Sequence, residues 1–236
     1  MADDAVVAQM QSLIQQWEET SDQRVIFLSC YLMMTGNMRA AIAKGEFRDP
    51  TWVDRLVDHF AGYYFVALEA YEQDPGLAPL VWQQAHRATG DPNLLALQKL
   101  LLGVNAHINY DLVLSLVDML GPEWAGLSEA QRAGRYRDHC HVNEVIGYTI
   151  DAVQDQVLEP EMPVMDLIDK LCGPLDERLI SKVLANWREN VWRNAVRLLE
   201  TAEAEESARV MRDVEQAAVR MGERIGPTTR HSLVSR

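Results

Sequence analysis

Lysine is scarce in this 236-residue chain: four lysines stand beside 18 arginines, and 35 acidic residues bring the net charge to −13. An acidic surface of this kind repels phosphate backbones and anionic headgroups, so nucleic acid is not an expected partner and neither is a membrane surface. Cysteine is sparse too. Cys30, Cys140 and Cys172 are odd in number and show no CxxC spacing, which excludes a disulfide framework and a zinc knuckle and fits a reducing cytoplasm. The opening MADDAVVAQM lacks the basic-then-apolar pattern of a secretory leader. No uncharged apolar run of about 18 residues is present, so no membrane insertion is expected. Phosphate loops (GxxxxGK[ST]), dinucleotide fingerprints (GxGxxG), nucleophile elbows (GxSxG), HExxH, paired ExxH and aspartate-rich DDxxD boxes are all missing. So is the alternating pattern of strands.

What remains is helix. Apolar residues recur at helical spacing between Pro and Gly punctuation, which predicts a single all-α domain of about eight helices. Residues 3–18 form the first, and Thr20-Ser21-Asp22-Gln23 reads as a capping box for the second, to about Lys44. Asp49-Pro50 starts a third that ends near Gln73, and Pro79 opens a short fourth. Asp91-Pro92 repeats the cap-and-proline device and opens a fifth, over 92–120, stopped by Gly121-Pro122. Ser128 and Gln131 cap a sixth that reaches about Leu158. A short seventh lies between Pro163 and Gly173, and a last region runs from Pro174 toward Arg224 with a break after Glu200. Residues 1–200 make the helical body. The 201–225 helix carries a stripe of Val210, Val214, Ala217, Met221 and Ile225, suited to closing over the body or to a homodimer contact. The 226–236 tail is expected to be disordered.

The fifth helix is apolar around its whole circumference, the mark of a central helix covered on every side. Into it Leu100–Asp111 (LLLGVNAHINYD) sets four polar residues. His107 and Asp111, spaced i, i+4, share one face, and Asn105 and Asn109 share roughly the opposite one. Gly103, one turn before His107, leaves room for a backbone or a ligand. Unpartnered burial costs about 1–3 kcal/mol per polar group, so the cluster is either a polar network tying helices together or a site. In the second case His107 is a general base or ligand, oriented by Asp111.

Three other segments compete with or complete it. On the third helix His59 shares a face with Trp52, Leu56 and Tyr63, while Phe60, Tyr64 and Leu68 line another. On the sixth, Arg135, Asp138 and His139 continue the apolar stripe of Val142, Val145 and Ile146, with Asn143 at its edge. On the eighth, Arg188 and Trp192 offer a cation and an aromatic plane for an anionic group. The catalytic candidates are thus His107, Asp111, His59, Asp138 and His139. The substrate-binding candidates are Asn105, Asn109, Tyr63, Tyr64, Asn143, Arg188 and Trp192. The HxxxD pair of His107 and Asp111 suits zinc or iron, but two ligands are an incomplete set; the expectation is no cofactor, with zinc or iron as the alternative.

The run LLLGVNAHINYDL resembles a bacterial family known as a domain of unknown function (number 5995), whose members carry an (L/M)NAHIN-x-DL segment. The likeness extends to HFAGYYFVALEAY, DHCHVN and WRENVW and covers most of residues 20–200. It implies a helical bacterial fold and points to Asn105, His107, Asn109 and Asp111, then to Asp138, Asn143, Arg188 and Trp192; it implies no activity. The HxxxD is also similar to that of helical zinc phospholipases and nucleases, whose wider His and Asp ligand set this chain lacks. Together these features suggest an enzyme acting on an apolar or polycyclic small molecule. The alternative is a binding or interaction protein without catalysis.

Overall fold

The computed structural model describes residues 4–155 and 177–226. The described residues are helical, without strands: α1 (Ala5–Thr20), α2 (Val25–Ala43), α3 (Pro50–Gln73), α4 (Leu80–Thr89), the central α5 (Ala96–Trp124), α6 (Glu129–Asp155), α7 (Glu177–Glu200) and α8 (Ala204–Ile225). The expected seventh helix before Gly173, the far end of the sixth and the tail lie outside the described residues.

Caps place most of the boundaries. The Asp4 carboxylate accepts the Val7 N–H, Asp49 accepts that of Trp52 ahead of Pro50, and Ser128 and Gln131 form a reciprocal box. Two devices differ from expectation. Asp22 and Asp91 each accept an N–H two residues on, from Arg24 and Asn93, making Asx turns that precede α2 and α5 rather than caps within them. Helix α5 accordingly begins later than 92, and it runs through Gly121-Pro122 to Trp124. Pro122 removes only one hydrogen bond in the final turns, which the packing of Leu120 and Trp124 outweighs.

The core has two halves, and α5 threads both. Its first half contributes Leu100, Leu102 and Ala106 to a cluster with Trp17, Phe27, Tyr31, Tyr64 and Trp82. Its second half contributes Leu112, Val113, Leu116 and Leu120 to another with Trp52, Val145, Val191 and Trp192. Two helices, α2 and α5, have the length and apolar composition to cross a bilayer, where the sequence had suggested none. All-round apolar character is what contact with several neighbours requires, and α5 packs against α2, α4, α7 and α8.

Helix α8 lies against α4 and α5 of its own chain. Its inner face is Val210, Val214, Ala218 and Gly222; Ala217 is exposed. Val210 and Val214 of the expected stripe are therefore covered within the chain. At Gly222 a methyl group would fall 2.0 Å from Oε1 of Gln84, so α8 rests almost backbone-to-side-chain on α4.

Gly103 is the other close approach. Its missing Cβ would stand 2.6 Å from two ring carbons of Phe27, so the space that the sequence left open is filled by α2. Overpacking costs about 1–3 kcal/mol, and the alanine's better helix propensity returns up to about 1 kcal/mol. Gly103→Ala is expected to lower stability by about 1–2 kcal/mol in urea titration, and Phe27→Leu in the same chain to recover part of that loss.

Candidate functional site

At the junction of the two core halves α5 leaves α-helical geometry. Residues His107–Asp111 form one π turn, in which the Leu112 N–H reaches back to the His107 carbonyl. Such single-turn bulges occur frequently at functional sites. Here the turn buries His107 (4% exposed) and Asp111 (1%) together.

The His107 Nδ1 lies 3.0 Å from Asp111 Oδ2, and the Trp82 indole N–H donates to both carboxylate oxygens at 3.1 and 3.0 Å. Phe60 stacks on the imidazole at 3.6 Å with planes 9° apart, and Tyr31 meets it edge-on at 4.3 Å. Burial drives the imidazole well below its usual range and the carboxyl well above its own, so the ring is neutral at pH 7. When Asp111 is a carboxylate, the Trp82 donor supports it and Nδ1 carries the proton; when it is protonated, Nδ1 accepts. In both forms the second ring nitrogen, Nε2, has no partner among the described residues.

His107 belongs to the wall of a cavity of about 180 Å³ lined by α2, α3, α5, α6 and α7. Met34, Met38, Val53, Leu56, Phe60, Ile108 and Leu184 make much of this wall. Polar groups enter at Tyr31, Thr35, Trp52, His107, Asp138, His139 and Arg188. Four of these seven, Tyr31 Oη, Thr35 Oγ1, Trp52 Nε1 and His107 Nε2, are buried without a hydrogen-bond partner among the described residues. More than about 90% of buried polar groups in native proteins are paired, so four orphans gathered on one cavity call for an explanation.

The remaining candidates separate. His59 and Tyr63 are not on this wall: both reach Asp118 Oδ2 at the surface, at 3.1 and 2.5 Å, and their α3 neighbour Phe60 takes the place beside His107. Tyr64 is core, packed on Phe27 and Trp82. Asn105 donates to the Ala218 carbonyl of α8 and accepts from Asn109, so this pair ties helices together. Asp138 lines the cavity, but its oxygens take the backbone N–H groups of Arg48 and Asp49 at 2.8 and 3.0 Å, anchoring the approach to α3.

His139 also lines the cavity, and both its nitrogens are occupied. Nε2 lies 2.9 Å from the Arg188 carbonyl, which makes it the protonated nitrogen; Nδ1 lies 3.3 Å from the Arg188 guanidinium. Burial and that cation hold its pKa well down, and the ring serves to position Arg188 rather than to move protons. Asn143 accepts from Arg188 Nε at 2.9 Å. Trp192 packs on His139 and Tyr136, behind the wall. Among the described residues no cluster of three or more His, Cys, Asp or Glu side chains is placed to hold a metal; His107 and Asp111 direct donor atoms at one another. Sequence reasoning missed Trp82, Tyr31 and Thr35, which reach the site from α2 and α4.

The fold and site define an all-α bundle built around a buried histidine–aspartate pair on an apolar cavity. The chain belongs to the family of unknown function DUF5995, whose profile matches residues 4–227. No curated protein and no solved structure matches it.

Asp111 is the partner of two groups, whereas His107 is the partner of one. Asp111→Leu strands the Trp82 N–H and is expected to cost about 3 kcal/mol. His107→Phe, which preserves the stack on Phe60 and leaves Asp111 its indole donor, is expected to cost less than about 1.5 kcal/mol by the same urea titration.

The buried histidines also set a pH dependence. His86, stacked on Trp82, is lowered to about 4 by burial. Its unfolded value of about 6.5 lies above this, so the unfolded chain binds the extra proton first. Stability is full above pH 6.5 and is expected to fall by about 2–3 kcal/mol from this group as pH drops toward 4.5. His107 and His139 act in the same direction. Urea midpoints across that range check this, and His86→Gln should flatten the slope.

Proposed function

We propose that the cavity binds an apolar small molecule and that His107 Nε2 exchanges a proton with it, with Asp111 as the residue that positions the imidazole. One observation carries this reading. The histidine on the cavity wall has one nitrogen held and the other unpartnered, on a wall where Tyr31 Oη and Thr35 Oγ1 are unpartnered as well. A neutral ring fixed through Nδ1 by a carboxylate is the arrangement in which Nε2 accepts or returns a proton near neutral pH. The stacked Phe60 and edge-on Tyr31 prevent the ring from turning. The flexible thioethers of Met34 and Met38 let the wall adapt to a flat or irregular ligand. We read the protein as a bacterial cytoplasmic enzyme of small-molecule metabolism. The strongly apolar lining favours a second reading, a carrier that holds such a molecule without changing it.

Naphthalene and indole are neutral probes of the size the cavity admits. In NMR titrations of protein labelled with ¹⁵N at histidine, both are expected to move the His107 ring signals and to leave those of the surface residue His59 in place. Absence of any shift on His107 overturns the cavity reading. For catalysis, wild type and His107→Phe are each incubated with a bacterial metabolite extract. A compound consumed by wild type at least 100-fold faster than by the variant supports proton transfer at Nε2; compounds retained by both and consumed by neither decide for the carrier.

A further inference from the structure

Arg188 brings a cation to the apolar cavity wall. It is 5% exposed, and no carboxylate among the described residues forms an ion pair with it. Its Nε donates to Asn143 Oδ1 at 2.9 Å, and its Nη2 donates to the His139 carbonyl at 2.8 Å and faces His139 Nδ1. All of these partners are neutral. Nη1 makes no hydrogen bond among the described residues. Asp138, an acid on the same wall, has its oxygens on backbone N–H groups.

A buried cation with no opposite charge bonded to it among the described residues is costly: burial pulls the guanidinium down, to about 10. Proteins seldom keep such a charge for stability, since a well-packed apolar residue there is cheaper. Yet here two residues are spent on holding it still. Asn143 and His139 occupy two of the three nitrogens, and the Nε2–H bond from His139 to the Arg188 backbone selects the tautomer that lets Nδ1 face the cation. A guanidinium on an apolar cavity, fixed on two sides and with no hydrogen bond to its third nitrogen among the described residues, has the geometry that suits an anion.

We infer that the ligand of this cavity is an apolar monocarboxylic acid, its carboxylate on Arg188 Nη1 and its hydrocarbon body lying between Met38, Leu56 and Phe60 toward His107. One nitrogen without a hydrogen bond among the described residues and one positive charge match a single carboxylate better than a phosphate dianion. The 180 Å³ volume compares with about 150 Å³ for a cavity that takes benzene, which limits the body to one or two rings or a short branched chain. This inference rests on the cavity reading given above and names the class of molecule for it. It also gives the site two ends: an anion anchor on α7 and a proton-transfer group on α5.

The test compares matched acids and amides by calorimetry: benzoate with benzamide, and 2-naphthoate with 2-naphthamide. Wild-type protein is expected to bind the better-fitting acid at least tenfold tighter than its amide. Arg188→Met is expected to erase that preference by weakening the acid at least tenfold while changing the amide less than threefold; Arg188→Lys should keep a reduced preference. If Arg188→Met does not fold, the wild-type ratio together with Asn143→Ala, which frees the guanidinium to move, decides. Acids and amides binding equally well overturns the inference and leaves the cavity reading standing. If neither acids nor amides bind, and naphthalene and indole also fail, the cavity reading itself falls.

Discussion

The burial of one carboxylate constrains more of this fold than any other group. Asp111 sits in the middle of the helix that both halves of the core share, where an uncompensated charge costs several kcal/mol. Two groups answer it: the indole of α4 donates to both oxygens, and the imidazole of its own π turn shares a hydrogen bond with one of them. Trp82 must therefore present its N–H to α5, which fixes how α4 docks. His107 must turn its other edge away, toward the cavity. Phe60 and Tyr31 then fill the faces of the ring, and α2 and α3 are placed by that contact. A polar requirement of one side chain thus orders four helices, and it does so in a region where apolar packing alone tolerates many arrangements.

Much of the helical framework was legible because it rests on local rules. Asp49-Pro50 and Ser128 with Gln131 cap where their chemistry says they should, and the all-round apolar face of α5 marks it as central. Errors of one residue mark the limits. On α3, His59 and Phe60 are adjacent, and periodicity assigns each a plausible inner face; only the position of α5 decides that Phe60 points in and His59 meets Asp118. On α8 the inner face includes Ala218 and Gly222 instead of Ala217 and Met221, because close packing against Gln84 selects small residues over apolar ones.

Within the site, the legible part was what one helix encodes: His107 and Asp111 are i, i+4 and they do meet. What was not legible comes from long range. Asp138 looked like a catalytic carboxylate, but its oxygens serve amides some ninety positions earlier in the chain. Trp82 gave no local sign of bonding to Asp111. His139 and Arg188 came from separate segments, and no spacing rule pairs α6 with α7. A buried polar residue announces in sequence that it needs a partner; which partner is a property of the packed chain.

The π turn has a further consequence for the helix that contains it. Five residues are spent where four would close a turn, so the segment amounts to one residue inserted into an α-helix. Every side chain beyond it is rotated by about 100° relative to an uninterrupted helix, and Leu116, Leu120 and Trp124 reach their neighbours only because of that rotation. Removing one residue between 107 and 111 would restore a regular helix while turning the whole second half of α5 out of register with α7. The polar pair and the distant core are thereby locked together in chain length: a lineage that lost the histidine–aspartate geometry by deletion would also have to rebuild half of its hydrophobic interior.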